Sequence, residues 1–147
     1  MPHTTYEAYL ELPNKEGNNI YLTKFPKNTK LKYENLVHDF NSFNLLIRTP
    51  VLKSLEIARE NKVIGKSLEA HIKLVLTNEQ VRLINSLFSN IKQVFIASNV
   101  DIIVGDDLKI EVKKAQGFVC VRCWNIVPML DENELCLRCT KIIQEYY

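Results

Sequence analysis

The sequence predicts an α+β fold in three parts, and three observations carry that prediction. Leu36, Phe40, Phe43 and Ile47 recur at steps of three and four, the period of an amphipathic helix. Residues 71–76 and 108–114 instead alternate apolar and polar, the period of half-buried strands. Near the end, Cys120-Val121-Arg122-Cys123 and Cys136-Leu137-Arg138-Cys139 form two C-x-x-C pairs separated by twelve residues. With this spacing each pair can sit on a tight knuckle turn, and the spacer folds one knuckle over the other, so that four thiolates meet at the corners of one tetrahedron. The pattern is that of a zinc ribbon. The competing reading, two disulfides or four unrelated buried cysteines, requires an oxidising compartment or coincidence. All four cysteines of the chain are used. Four thiolates leave no coordination position for water or substrate, so one zinc ion is expected to hold structure and do no chemistry.

Composition narrows the class further. At 147 residues and 46% hydrophobic content, the chain has room for one ordinary soluble domain or two small ones. No apolar run approaches the roughly 18 residues of a membrane span, and Met1-Pro2-His3-Thr4-Thr5 lacks the order of a signal peptide. A cytoplasmic protein with no membrane partner is expected, in keeping with reduced, metal-binding cysteines. Nineteen basic against seventeen acidic residues leave a net charge of +2, too small to announce nucleic acid by bulk charge. From Arg48 to Lys73 the count is six basic to three acidic, whereas from Asp106 to Tyr147 it is six to seven. Any positive face belongs to the first stretch, where a solvated helix face is the commoner explanation.

Taken in order, Pro2, Pro13, Pro26 and the Asn/Gly cluster at 14–19 predict a short helix over 4–12, then loop, then an extended Ile20-Tyr21-Leu22-Thr23. A helix of that length is marginal without a surface to pack on. An amphipathic helix begins near Leu31 and is punctuated by Thr49-Pro50. Thr49 is a candidate N-cap, with Pro50 opening a second helix whose Val51, Leu52, Leu55 and Ala58 face inward; the two helices are expected to pack together. After Gly65, 71–76 reads as a strand and Thr77 or Asn78 as the cap of a helix with Val81, Leu83, Ile84, Leu87 and Phe88 on its apolar side. Runs 94–97 and 100–104 read as strands, Gly105-Asp106-Asp107 as a turn, and 108–114 as a strand feeding the ribbon. A final helix is expected over 140–147.

Gly65-Lys66-Ser67 invites a phosphate-loop reading, but the required first glycine would fall at Glu60, inside a helix, so the motif fails. His3, His38 and His71 are scattered, and no Ser/His/Asp order or carboxylate pair suggests catalysis. Trp124 directly follows the second cysteine. Its indole either packs on its own knuckle or offers a face for an unpaired base. Arg122 and Arg138 hold the third place of their C-x-x-C pairs. There they can offset thiolate charge or reach phosphates and base edges.

Several of these stretches carry a family resemblance. Val51-Leu52-Lys53-Ser54-Leu55-Glu56, Ala58-Arg59 and Val63-Ile64-Gly65-Lys66-Ser67-Leu68-Glu69-Ala70 resemble the end of the anticodon-binding helical domain of bacterial isoleucyl-tRNA synthetases. Cys120-Val121-Arg122-Cys123-Trp124 with Leu135-Cys136-Leu137-Arg138-Cys139 is similar to the C-terminal zinc module of the same enzymes, and Pro2-His3-Thr4-Thr5-Tyr6-Glu7 resembles the segment before the last helices of that domain. The resemblance implies three parts: helices of an anticodon-binding domain over 1–70, a small α/β linking domain over 71–114, and the zinc ribbon over 115–147. Residues 71–114 fit by position more than by motif.

The class I signatures HIGH and KMSKS are absent from the sequence. The resemblance therefore implies a tRNA-recognition portion of a longer isoleucine-tRNA ligase, inactive alone, with Met1 a chance or introduced start. Its partners would be the remainder of the synthetase chain and the anticodon region of tRNA, touched through Arg122 and Trp124. The parent's reaction would be ATP-dependent attachment of isoleucine to its tRNA. The alternative is a free-standing zinc-ribbon module for nucleic acid or protein, since a similar finger ends the formamidopyrimidine-type DNA glycosylases. That family's catalytic proline and glutamate are adjacent, whereas Pro2 and Glu7 are not.

Overall fold

The fold is described from a computed structural model that covers residues 2–15, 17–25, 27 and 33–146. The chain divides into two compact units, residues 1–32 and 33–147. The expected divisions at 70/71 and 114/115 both fall inside the second. In the first unit, α1 (Pro2–Leu10) is followed by loop and a single 3₁₀ turn, Ile20–Leu22. This turn replaces the expected extended segment because Asn19 caps it, its side chain accepting from the Tyr21 amide at 3.0 Å. The Tyr6 and Tyr21 rings stack with centroids 6.2 Å apart.

The second unit is built on one long helix. Its first part, α2 (Glu34–Phe43), runs through a π turn (Asn44–Arg48) into α3 (Thr49–Glu60). Thr49 is not an N-cap: it is helical at φ −61°, ψ −48°, and its amide donates to the Asn44 carbonyl, five residues back. The two expected helices are thus one. Proline in a helix has no N–H to give and crowds the carbonyl four residues back. The wide π turn just ahead of Pro50 absorbs that conflict without a break. It also keeps the apolar stripe straight, because residues spaced by four drift about 40° per step on an α-helix and a locally unwound turn takes back most of that drift. Phe43, Ile47, Val51, Leu55 and Ala58 all end up buried, whereas Leu36, Phe40 and Leu52 remain exposed. The helix start expected at Leu31, and the helix end expected at Tyr147, lie outside the described residues.

This helix covers one face of a three-stranded sheet. The strands are β1 (Ala70–Leu76), β2 (Asn99–Val104) and β3 (Lys109–Lys114), in the order β2-β1-β3. β1 pairs with β2 in parallel and with β3 antiparallel, setting Ile72 beside Val100 and Val112, and Leu74 beside Ile102 and Ile110. The parallel crossover is made by α4 (Asn78–Leu87) and the short α5 (Ile91–Phe95). Thr77 opens α4 with a complete capping box: its side chain accepts from the Gln80 amide, and the Gln80 side chain accepts from the Thr77 amide. Residues 94–97 are not a strand, since Asn90 caps α5 and Ile96 ends it in the left-handed conformation. Phe43 joins the layers, with its ring 4.6 Å from Phe88 and 6.3 Å from Phe95. The other sheet face carries His71, Lys73, Asp101, Lys109, Glu111 and Lys113. His71 Nε2 lies 2.7 Å from Asp101 there.

Beyond β3, a small hairpin of β4 (Phe118–Val119) and β5 (Ile126–Val127) leads to α6 (Leu137–Tyr146). This last helix starts three residues before the expected position. No helix among the described residues is long and apolar enough to cross a membrane.

Candidate metal centre

The first cysteine pair sits on the loop of the β4–β5 hairpin. Cys120 follows β4, its amide donates to Asn125 O at 3.0 Å, and its carbonyl accepts from the Trp124 amide at 2.8 Å. That tight closure puts Trp124 at φ 61°, a conformation bulky residues seldom adopt. The second pair differs from the expected knuckle. Cys136 immediately precedes α6 and Cys139 lies in its first turn, so the second half of the module is a helix start. An acidic loop shapes that start: Asp131 accepts from the Asn133 and Leu135 amides, each at 2.9 Å, and from the Thr140 hydroxyl at 2.5 Å. These bonds hold the Asp131 carboxyl below its ordinary range, the Thr140 hydroxyl contributing most.

The fold brings the four sulfurs of Cys120, Cys123, Cys136 and Cys139 within 4.8 Å of one another. Among the described residues this is the only grouping of three or more possible ligands. All four are free thiols, and the 3.7 Å between Cys123 Sγ and Cys136 Sγ is far beyond a disulfide bond. In a tetrahedral zinc–thiolate site, bonds of about 2.3 Å put neighbouring sulfurs about 3.8 Å apart. The four thiols therefore fit one structural zinc ion. Cys120 and Cys139 are fully buried.

The surroundings of the thiols are uneven. Burial opposes ionisation of Cys120, but amide hydrogen bonds from Cys123, Cys136 and Arg122 outweigh it and bring the thiol down to about 6. One of these is the Cys136 amide, which donates to Cys120 Sγ at 3.3 Å and ties the two halves together. At Cys123 burial again opposes ionisation and is outweighed by Asn125, whose side chain donates to the sulfur at 3.3 Å. Burial dominates at Cys139 and raises it to about 11, although the Arg122 guanidinium, 3.7 Å from its sulfur, pulls the other way. The charge-offsetting role open to Arg122 in the sequence thus has a geometric counterpart. Trp124 is 67% exposed, flanking a cleft with Lys66, Leu68 and Val119, and is not packed into the module.

Two groups missed by sequence reasoning hold this module in place, one fastening it to the sheet and one closing its own hairpin. Ser98, 5% exposed, donates to the Leu68 carbonyl at 2.5 Å and accepts from the Ile126 amide at 2.6 Å. Gly117 passes so close to Val127 that a Cβ would lie 2.2 Å from its carbonyl oxygen. The Gly65-Lys66-Ser67 stretch is committed within the chain, as the sequence argument against a phosphate loop requires. The Gly65 amide donates to Glu69 Oε2 at 3.0 Å, and the Ser67 hydroxyl accepts from Arg59 at 2.7 Å.

Relatives give the centre its context. No family model matches the chain. The isoleucine–tRNA ligase of Acholeplasma laidlawii is 45% identical over 146 residues, a match covering 98% of this chain and 16% of that protein. The same named enzyme of onion yellows phytoplasma is 37% identical over 146 residues, and that of Shouchella clausii is 34% identical over 163, covering 100% of this chain. Along its length the chain is similar to a portion of the bacterial isoleucine–tRNA ligases. It spans 16–18% of the length of these curated relatives. The resemblance in residues 1–70 and 115–147 thus extends over 71–114, where no motif announced it.

Proposed function

We propose that this chain is the tRNA-recognition portion of an isoleucine–tRNA ligase, with Cys120, Cys123, Cys136 and Cys139 holding one zinc ion. The full-length protein would attach isoleucine to its tRNA at the expense of ATP, in the cytoplasm, where the four thiols stay reduced. This portion would bind the anticodon region and would not itself activate isoleucine, since neither class I signature occurs in it. Zinc, when bound, supplies rigidity to a module too small to bury a core of its own. The observation that carries the reading is Trp124: a large aromatic in the left-handed conformation, exposed, and one residue from a ligand. Strain that burial does not offset is found at functional positions, and an exposed indole on a rigid turn suits stacking on an unpaired loop base.

Stacking of this kind is worth about 1–3 kcal/mol per base, so Trp124→Ala in the full-length ligase is expected to weaken tRNA binding by roughly tenfold to a hundredfold. Zinc content measured on the same protein should be unchanged. Unaltered affinity with zinc retained would refute the contact. Arg122→Ala is expected to act on both fronts, weakening tRNA binding and loosening the thiol cluster that its guanidinium faces.

A further inference from the structure

We propose that a second cleft, between α5 and the zinc module, receives one unpaired nucleotide of RNA at a position separate from Trp124. The proposal deepens the tRNA-recognition reading and rests on it. The cleft encloses about 350 Å³ and is lined by Lys92, Gln93, Ile96, Asn125 and Arg138, with Ser98 among its lining residues. That volume lies in the range of small-molecule sites. No carboxylate is among the described residues that line it; the zinc ligands Cys123 and Cys136 form part of its floor, and its cations are Lys92 and Arg138.

Each wall has the chemistry of one part of a nucleotide. Lys92 Nζ is oriented by a 3.1 Å bond to Asn99 Oδ1, and an ammonium has three donors, so one such bond leaves capacity for a phosphate oxygen. Arg138 stands across the cleft at the start of α6, with a fork of donors suited to the same group. Gln93 is an amide that both donates and accepts, and Asn125, whose amino group is given to Cys123, keeps its carbonyl as an acceptor; together they match the mixed edge of a base better than the acceptor-only carboxylates of an acidic peptide. The rim supplies the apolar surface. Ile96 sits at φ 54°, ψ 44°, where helices ordinarily end on glycine, and it is 61% exposed. A β-branched residue in that conformation is strained, and here burial does not compensate it. A platform for a flat, partly apolar ligand accounts for its presence. The cleft exists only while the hairpin stays against the sheet, which the Ser98 bonds to Leu68 and Ile126 secure.

The test uses the zinc-loaded 147-residue chain and a labelled hairpin RNA with an unpaired loop, titrated at several salt concentrations beside a fully paired RNA of the same length. Lys92→Gln and Arg138→Gln are each expected to weaken loop binding about tenfold and to lower the salt slope by about one. Ile96→Gly relieves the backbone strain, so it should hold or raise the melting temperature while weakening loop binding. A purely structural Ile96 gives the opposite, a change in melting without one in affinity. If Trp124→Ala weakens binding while the cleft variants do not, the cleft site is wrong and the tRNA reading stands. Loss of equal size for loop and duplex would reduce the cleft to a non-specific phosphate contact and overturn it. No binding of the loop by the zinc-loaded chain would overturn both readings.

Discussion

Gly117 is a residue whose identity is dictated by one neighbour. At φ 129°, with the Val127 carbonyl oxygen 2.2 Å from where a Cβ would stand, the backbone itself is in the way and no side-chain rotation can relieve it. Gly117→Ala is expected to cost about 2–4 kcal/mol through clash and lost conformational freedom, read as a lower thermal midpoint at saturating zinc. Asp131 illustrates a charge at work on backbone. Its carboxyl is held below the ordinary range, so its contribution is complete above about pH 4 and disappears as the pH falls through the lower folded-state value. Asp131→Asn should therefore lower stability at neutral pH and flatten the acid side of the pH–stability curve. The cysteines could be read from sequence because metal-ligand spacing is a local pattern. Ser98 could not, since its two partners are 30 and 28 residues away and nothing in Ala97-Ser98-Asn99 signals them.

At the scale of elements, periodicity identified β1, β3 and the apolar stripe of the long helix, and an apolar run identified β2, because each buries one face against the same core. Its failures were at junctions. Thr49-Pro50 has the chemistry of a helix start, and only the π turn, a tertiary accommodation, lets the helix run through it. Residues 94–97 looked like a strand because a five-residue helix is too short to display its period, and Phe95 is buried with Phe43 in either case. The second cysteine pair opens a helix, a distinction that C-x-x-C spacing does not encode. Ser98 joins two of these elements, and Ser98→Ala would leave the buried Ile126 amide without its acceptor, at a cost of about 1–3 kcal/mol. Hydrogen exchange should quicken in β4 and β5, whose amides depend on that anchor, more than in β1.

For the molecule as a whole, the sheet and long helix share one apolar core, while the thiol cluster gathers a separate, smaller one. Chelation is accordingly expected to release residues from about Gly117 onward and to leave the sheet and helix protected, since uncompensated thiolates repel and the module has little else to hold it. Exchange mapped with and without chelator checks this, and uniform loss of protection would contradict it. The same layout has a consequence for handling the protein. β1 is fully paired, so the sheet ends on β2 and β3, and these two borders are unlike. β3 carries Lys109, Lys113 and Lys114, charges that discourage a further strand from adding. β2 has Asp101 alone, followed by Ile103 and Val104 at 43% and 54% exposure. If this chain aggregates on concentration, it will do so by strand addition at the β2 border, growing outward from the side that lysine leaves unguarded.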